Sequence, residues 1–114
     1  MSTGTSDLYS NTLSALNATR AAMLSPAWQT SIDAGTAADR LAASQKLIQV
    51  QQAILALSEA SLSEIATEMQ ENAADLSNAT DALNAALKDL TKVENVLDTA
   101  TELLGIVAKI VTLV

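Results

Sequence analysis

Stepping by seven from Leu41 meets Leu41, Ile48, Leu55, Leu62, Met69, Leu76, Leu83, Leu90, Leu97, Leu104 and Val111, and all eleven are apolar. A period of 3.5 sustained for that length keeps one seam of a helix against a partner and bends it into a left-handed supercoil. The companion line is uneven. Ser44, Gln51, Ser58, Ile65, Asn72, Ala79, Ala86, Val93, Ala100, Val107 and Val114 are mostly small or polar in the first half and apolar in the second.

Two architectures bury such a seam. As one rod, residues 37–114 would run about 115 Å at 1.5 Å per residue and need a second subunit along their whole length. No Gly or Pro interrupts residues 36–104, which suits the rod. As a hairpin, the chain reverses near Glu71–Asn78, where Asn, Asp and Ser supply turn chemistry. The width of the apolar face favours the hairpin. It is broad at Leu47, Ile48, Val50, Ile54, Leu55 and Leu57, narrows through Leu62, Ile65 and Met69, and broadens again from Val93 to Ile110, so folding near residue 75 joins the two broad stretches.

Start and stop signals mark the first third of the chain. Ser6 and Asp7 suit the beginning of a helix, and Leu8, Leu13, Leu16, Ala21, Met23 and Leu24 form its apolar stripe. Ser25-Pro26 opens a short helix, because Pro at the first helical position forgoes an N–H that has no partner there. Gly35 is placed to close that helix in a left-handed conformation, and Thr36 to cap the next with Asp39 in its first turn. Trp28, one of two aromatic residues, is expected to plug the end of the bundle. The resulting reading is all-α: a single domain over 1–114, with a first helix at 7–24, a corner with a short helix at 25–36, and heptad-patterned coiled-coil arms at 37–73 and 76–113. The first helix packs at the open end of that hairpin.

Composition supports helix-on-helix packing. Hydrophobic residues make up 49% of the chain but aromatics only 2%, so the apolar mass is Ala, Leu, Ile and Val. Thirteen acidic against six basic residues give a net charge of −7, which disfavours nucleic acid as a partner. The first residues lack the basic and apolar regions of a cleavable signal peptide. With neither His nor Cys, the usual general base, thiolate nucleophile and commonest metal ligands are missing, so no catalytic residue, metal or cofactor is expected.

Two surfaces remain as candidates. Glu64, Glu68, Glu71 and Asp75 are spaced to line one helix face, an acidic stripe for solvation or for a positive partner. The C-terminal run is apolar around most of its circumference. Leu103, Leu104, Ile106, Val107, Ile110, Val111 and Val114 are therefore read as an oligomer or partner contact. The expected function is a non-catalytic self-assembly or protein-interaction subunit, binding its own copies or another helical protein. A Cys-free, aromatic-poor, Ala/Ser/Thr-rich composition suits an exported filament or secretion-apparatus component, which favours an exported or cell-surface location over the cytoplasm. The competing expectation is a membrane-inserting protein, such as a pore component, that uses the apolar C-terminal helix.

Overall fold

A computed structural model describes residues 4–111. Six helices and no strand occur among them: α1 Thr5–Met23, α2 Pro26–Asp33, α3 Ala37–Glu59, α4 Leu62–Glu71, α5 Ala73–Ala86 and α6 Val93–Val107. Four of these close a ring in which α1 packs on α3, α3 on α6, α6 on α5 and α5 on α1. The bundle they enclose is 43 Å in its longest dimension.

Local chemistry at the corner matches the sequence. Ser25 caps α2, its Oγ accepting from the Trp28 backbone N–H at 3.3 Å, with Pro26 next in line. Thr36 and Asp39 form a reciprocal capping box at the start of α3, each side chain accepting the other's backbone N–H at 3.1 Å. Trp28 is buried with Met23, Ile32, Ala43, Ala86 and Val96 and closes that end of the bundle. Gly35 differs from expectation. No described residue has a positive φ, and what the missing side chain provides is space: a Cβ there would lie 2.6 Å from the capping Asp39 Oδ2.

The first helix starts at Thr5, not after Ser6, with Gly4 as its N-cap. Its inward stripe is Leu8, Thr12, Ala15, Leu16, Thr19 and Met23, a clean helical period once the two threonines are counted. Each threonine hydroxyl donates to the carbonyl four residues back, Thr12 to Leu8 at 2.7 Å and Thr19 to Ala15 at 2.8 Å, so only methyl groups are left to face the core. The helix also does more than cover an open end. It runs beside α3, with the Tyr9 hydroxyl donating to the Leu57 carbonyl at 2.8 Å, and it touches α4 and α5 as well.

The long hairpin is replaced by shorter helices. The proposed first arm, 37–73, is cut at Ala60 and Ser61, both extended, and the chain restarts as α4. At the expected reversal one helix ends and the next begins. Asn72 turns its side-chain Nδ2 onto the Glu68 carbonyl at 2.8 Å, and α5 begins at the next residue. The reversal within the proposed second arm, 76–113, falls between α5 and α6. There the Asp89 carboxylate accepts from both the backbone N–H and the hydroxyl of Thr91. Those two bonds, the hydroxyl's first, hold the Asp89 carboxyl below its usual pKa.

These breaks divide the heptad line. From Met69 onward it points inward: Met69, Leu76, Leu83 and Leu104 are buried, and Leu90, Leu97 and Val111 half-buried. Its first three members do the opposite. Leu41, Ile48 and Leu55 are 61%, 54% and 59% exposed. The inward line of α3 is Ala43, Val50 and Leu57, also spaced by seven, with Ala53 beside it. The two lines are two residues apart, about 200° around the helix, and so occupy opposite faces.

Candidate functional site

Helix α3 is therefore apolar on two faces, and its neighbours α1 and α6 cover only one. The outward face carries Leu41, Ile48 and Leu55 as a ridge, flanked by exposed Ser44, Gln45 and Gln51 and half-buried Gln52. These three aliphatic side chains, more than half in water and at coiled-coil spacing, are three of the four large hydrophobic residues exposed on the described surface.

The ridge has a groove at each end. Near its C-terminal end, Leu55, Ala60, Ile65, Ile110 and Val111 line an opening of about 410 Å³ where α3, α4 and the residues just after α6 meet. Near its N-terminal end, Ser44 and Leu47 share a smaller cleft of about 180 Å³ with Trp28, Ile32 and Leu24, itself 63% exposed. Charge changes along the helix too. Asp39 and Glu59 lie near its two ends, and residues 40–58 contain Arg40 and Lys46 but no acid. In a chain of net charge −7, this stretch adds no acid to the outward face.

The two surfaces singled out from sequence lie elsewhere. Leu103, Leu104, Val107 and Ile110 are buried and Ile106 and Val111 half-buried, because α6 lies between α5 and α3 and has most of its circumference covered within the chain. Val114 lies outside the described residues. Among the described residues no helix is long and apolar enough to cross a membrane.

The acidic stripe is divided by the break at Asn72, with Glu64, Glu68 and Glu71 on α4 and Asp75 on α5. Glu64, Glu71 and Asp75 are exposed. Glu68 is half-buried, and its Oε2 lies out of water with no hydrogen-bond donor among the described residues. No group of three carboxylates within the described residues is arranged to hold a metal ion. Asp75 instead lines a cleft with Asn78, Ala82, Glu102 and Ile106, between α5 and α6.

The outward ridge was present in the heptad pattern from the start, but as part of a seam assigned to the fold. The signal that separates it from the rest is the second heptad line on the same helix, Ala43, Val50 and Leu57, two residues out of phase. A helix needs one such line to join a bundle. No family model, no curated protein and no solved structure matches this chain.

Proposed function

We propose that the chain is a non-catalytic helical interaction subunit, which folds through the inward face of α3 and docks through the outward one in a coiled-coil-type contact. The observation that carries this reading is the exposure of Leu41, Ile48 and Leu55 at heptad spacing while the later members of the same line are buried or half-buried. Placing three aliphatic side chains in water forgoes burial free energy, on the order of 1 kcal/mol or more for each when half its surface is left exposed. Nothing inside the bundle requires those residues to be apolar, since α3 already packs through Val50, Ala53 and Leu57.

The composition agrees with an assembly role. A chain with neither His nor Cys has few means of acid–base, nucleophilic or metal chemistry near neutral pH, while Ala, Ser, Thr and Leu serve helix packing. The low aromatic content and absence of Cys suit an exported assembly component, and that setting is part of the proposal. Site-specific photo-crosslinking tests the reading. A benzophenone amino acid in place of Ile48, compared with one in place of exposed Asn84 on α5, is irradiated in extract of the source cells. A discrete adduct at position 48, to this chain or another, and none at 84 is the expected result. No adduct at 48, or equal labelling at both positions, refutes it.

A further inference from the structure

We infer that the occupant of this outward face is a second copy of the chain, docked antiparallel about a two-fold axis at Ile48; this rests on the interaction reading above and specifies its partner. The ridge is symmetric about its centre. Leu41 lies seven residues before Ile48 and Leu55 seven after it, so turning the helix end for end lays Leu41 against the second copy's Leu55 and Ile48 against its own counterpart. The flanks follow the same symmetry, with Gln45 and Gln51 three residues either side of Ile48, and Ser44 and Gln52 four either side. A surface that is its own complement under reversal is what an isologous dimer requires.

Charge permits the same partner. Two copies carrying −7 each repel as wholes, but residues 40–58 bring no acid to this contact. In the reversed pairing Glu59 falls opposite the second copy's Ala37 and lies three residues, about 4.5 Å along the axis, from the level of its Arg40, within reach of that long side chain. The acid at one end of each ridge thus approaches the base at the other end of its mate.

The extent of the face sets the strength of the contact. A 23-residue helix is about 35 Å long, and a contact strip about 10 Å wide covers roughly 350 Å² per copy, or roughly 700 Å² in all. That is below the 1,200–2,000 Å² typical of stable complexes, so the dimer is reversible and dissociates on dilution.

The natural absence of cysteine gives a direct test, because a single introduced thiol reports only its own position. Three variants on exposed positions, Leu41→Cys, Ile48→Cys and Leu55→Cys, with Asn84→Cys as control, are oxidised at high-micromolar concentration after circular dichroism confirms native helicity. A disulfide needs Cα atoms within about 7 Å, a distance met only near the axis or between paired positions. Ile48→Cys is expected to dimerise at least tenfold faster than Asn84→Cys. Leu41→Cys and Leu55→Cys are each expected to be slow alone and fast when mixed. Ile48→Cys no faster than the control overturns the second copy as occupant. Leu41→Cys joining itself as fast as it joins Leu55→Cys overturns the antiparallel register. An adduct to a different protein at position 48 in extract, with slow oxidation of Ile48→Cys, removes this inference and leaves the interaction reading standing. Absence of both signals removes both.

Discussion

Truncation of Leu83 to Ala probes the interior most sharply. Leu83 is 0% exposed, on α5, in the main cluster with Leu8, Leu16, Leu57, Met69, Leu76 and Leu103. Removing three carbons forfeits about 2.4 kcal/mol of transfer free energy at about 0.8 kcal/mol per methylene. An unrelaxed cavity of roughly 60 Å³ adds about 1.4 kcal/mol at about 24 cal/mol per Å³. The expected cost is about 4 kcal/mol, a large share of the 5–15 kcal/mol typical of a domain, and near 15 °C in Tm at about 4 °C per kcal/mol. Leu97, on the same heptad line but half-buried, should lose about 1 kcal/mol on the same change, since water reaches the vacated space. Urea unfolding followed by circular dichroism at two protein concentrations measures both. Equal costs at the two positions would contradict the packing described, as would a Leu83→Ala cost, taken as the difference from the parent at the same concentration, that changes with concentration, because an intermolecular seam and not an intramolecular core would then hold that residue.

Four further substitutions test particular contacts. Gly35→Ala should lower stability by about 0.5–1 kcal/mol in thermal melts, because the new Cβ displaces Asp39 from its capping box. Thr19→Val should be neutral or slightly stabilising by the same assay, since the Ala15 carbonyl keeps its helical bond and the shape of the buried side chain is conserved. Glu68→Gln should raise stability by about 0.5–1 kcal/mol, read as a rise in the urea midpoint, by removing a charge that has an unpartnered oxygen and acidic neighbours one turn away at Glu64 and Glu71. Asp89 contributes with a definite sign: its folded-state pKa is lowered, so its contribution is present above the unfolded value near 4 and is lost as pH falls through the folded one. The difference in urea midpoint between the parent and Asp89→Asn should therefore shrink on acidification below about pH 4.

The corner was legible because its signals are local. Ser25-Pro26 and Thr36-x-x-Asp39 fix helix starts through hydrogen bonds within four residues, and both formed. The all-helical class followed from an aromatic-poor, Gly- and Pro-poor composition. The hairpin did not, because the eleven-position apolar line runs through three helix breaks, at 60–61, 72 and 87–92. Ala60-Ser61 carries no Gly or Pro, only a run of serines at 58, 61 and 63 that compete for backbone bonds. The reversal before α6 rests on Asp89 and Thr91, a two-residue signal easily outweighed by the longer Asn/Asp run at 72–78. In that run Asn72 bonds back onto α4, and α5 begins at the next residue. The outward face was hidden for a related reason: both heptad lines of α3 are apolar, and only their neighbours decide which is buried. The described part of the C-terminal run, from Leu103 to Ile110, is largely covered by α5 and α3.

The claim that α3 folds with one face and docks with the other is tested most directly by mapping amide chemical shifts as the protein is concentrated from about 10 µM to about 1 mM, the range expected of a small, reversible interface. The account predicts progressive shifts at Leu41, Gln45, Ile48, Gln52 and Leu55, with Val50, Leu57 and the residues of α5 unmoved. Shifts confined to Ile106–Val111 would place the contact on α6 instead, and a spectrum unchanged across the whole range would leave the outward face of α3 without a second copy.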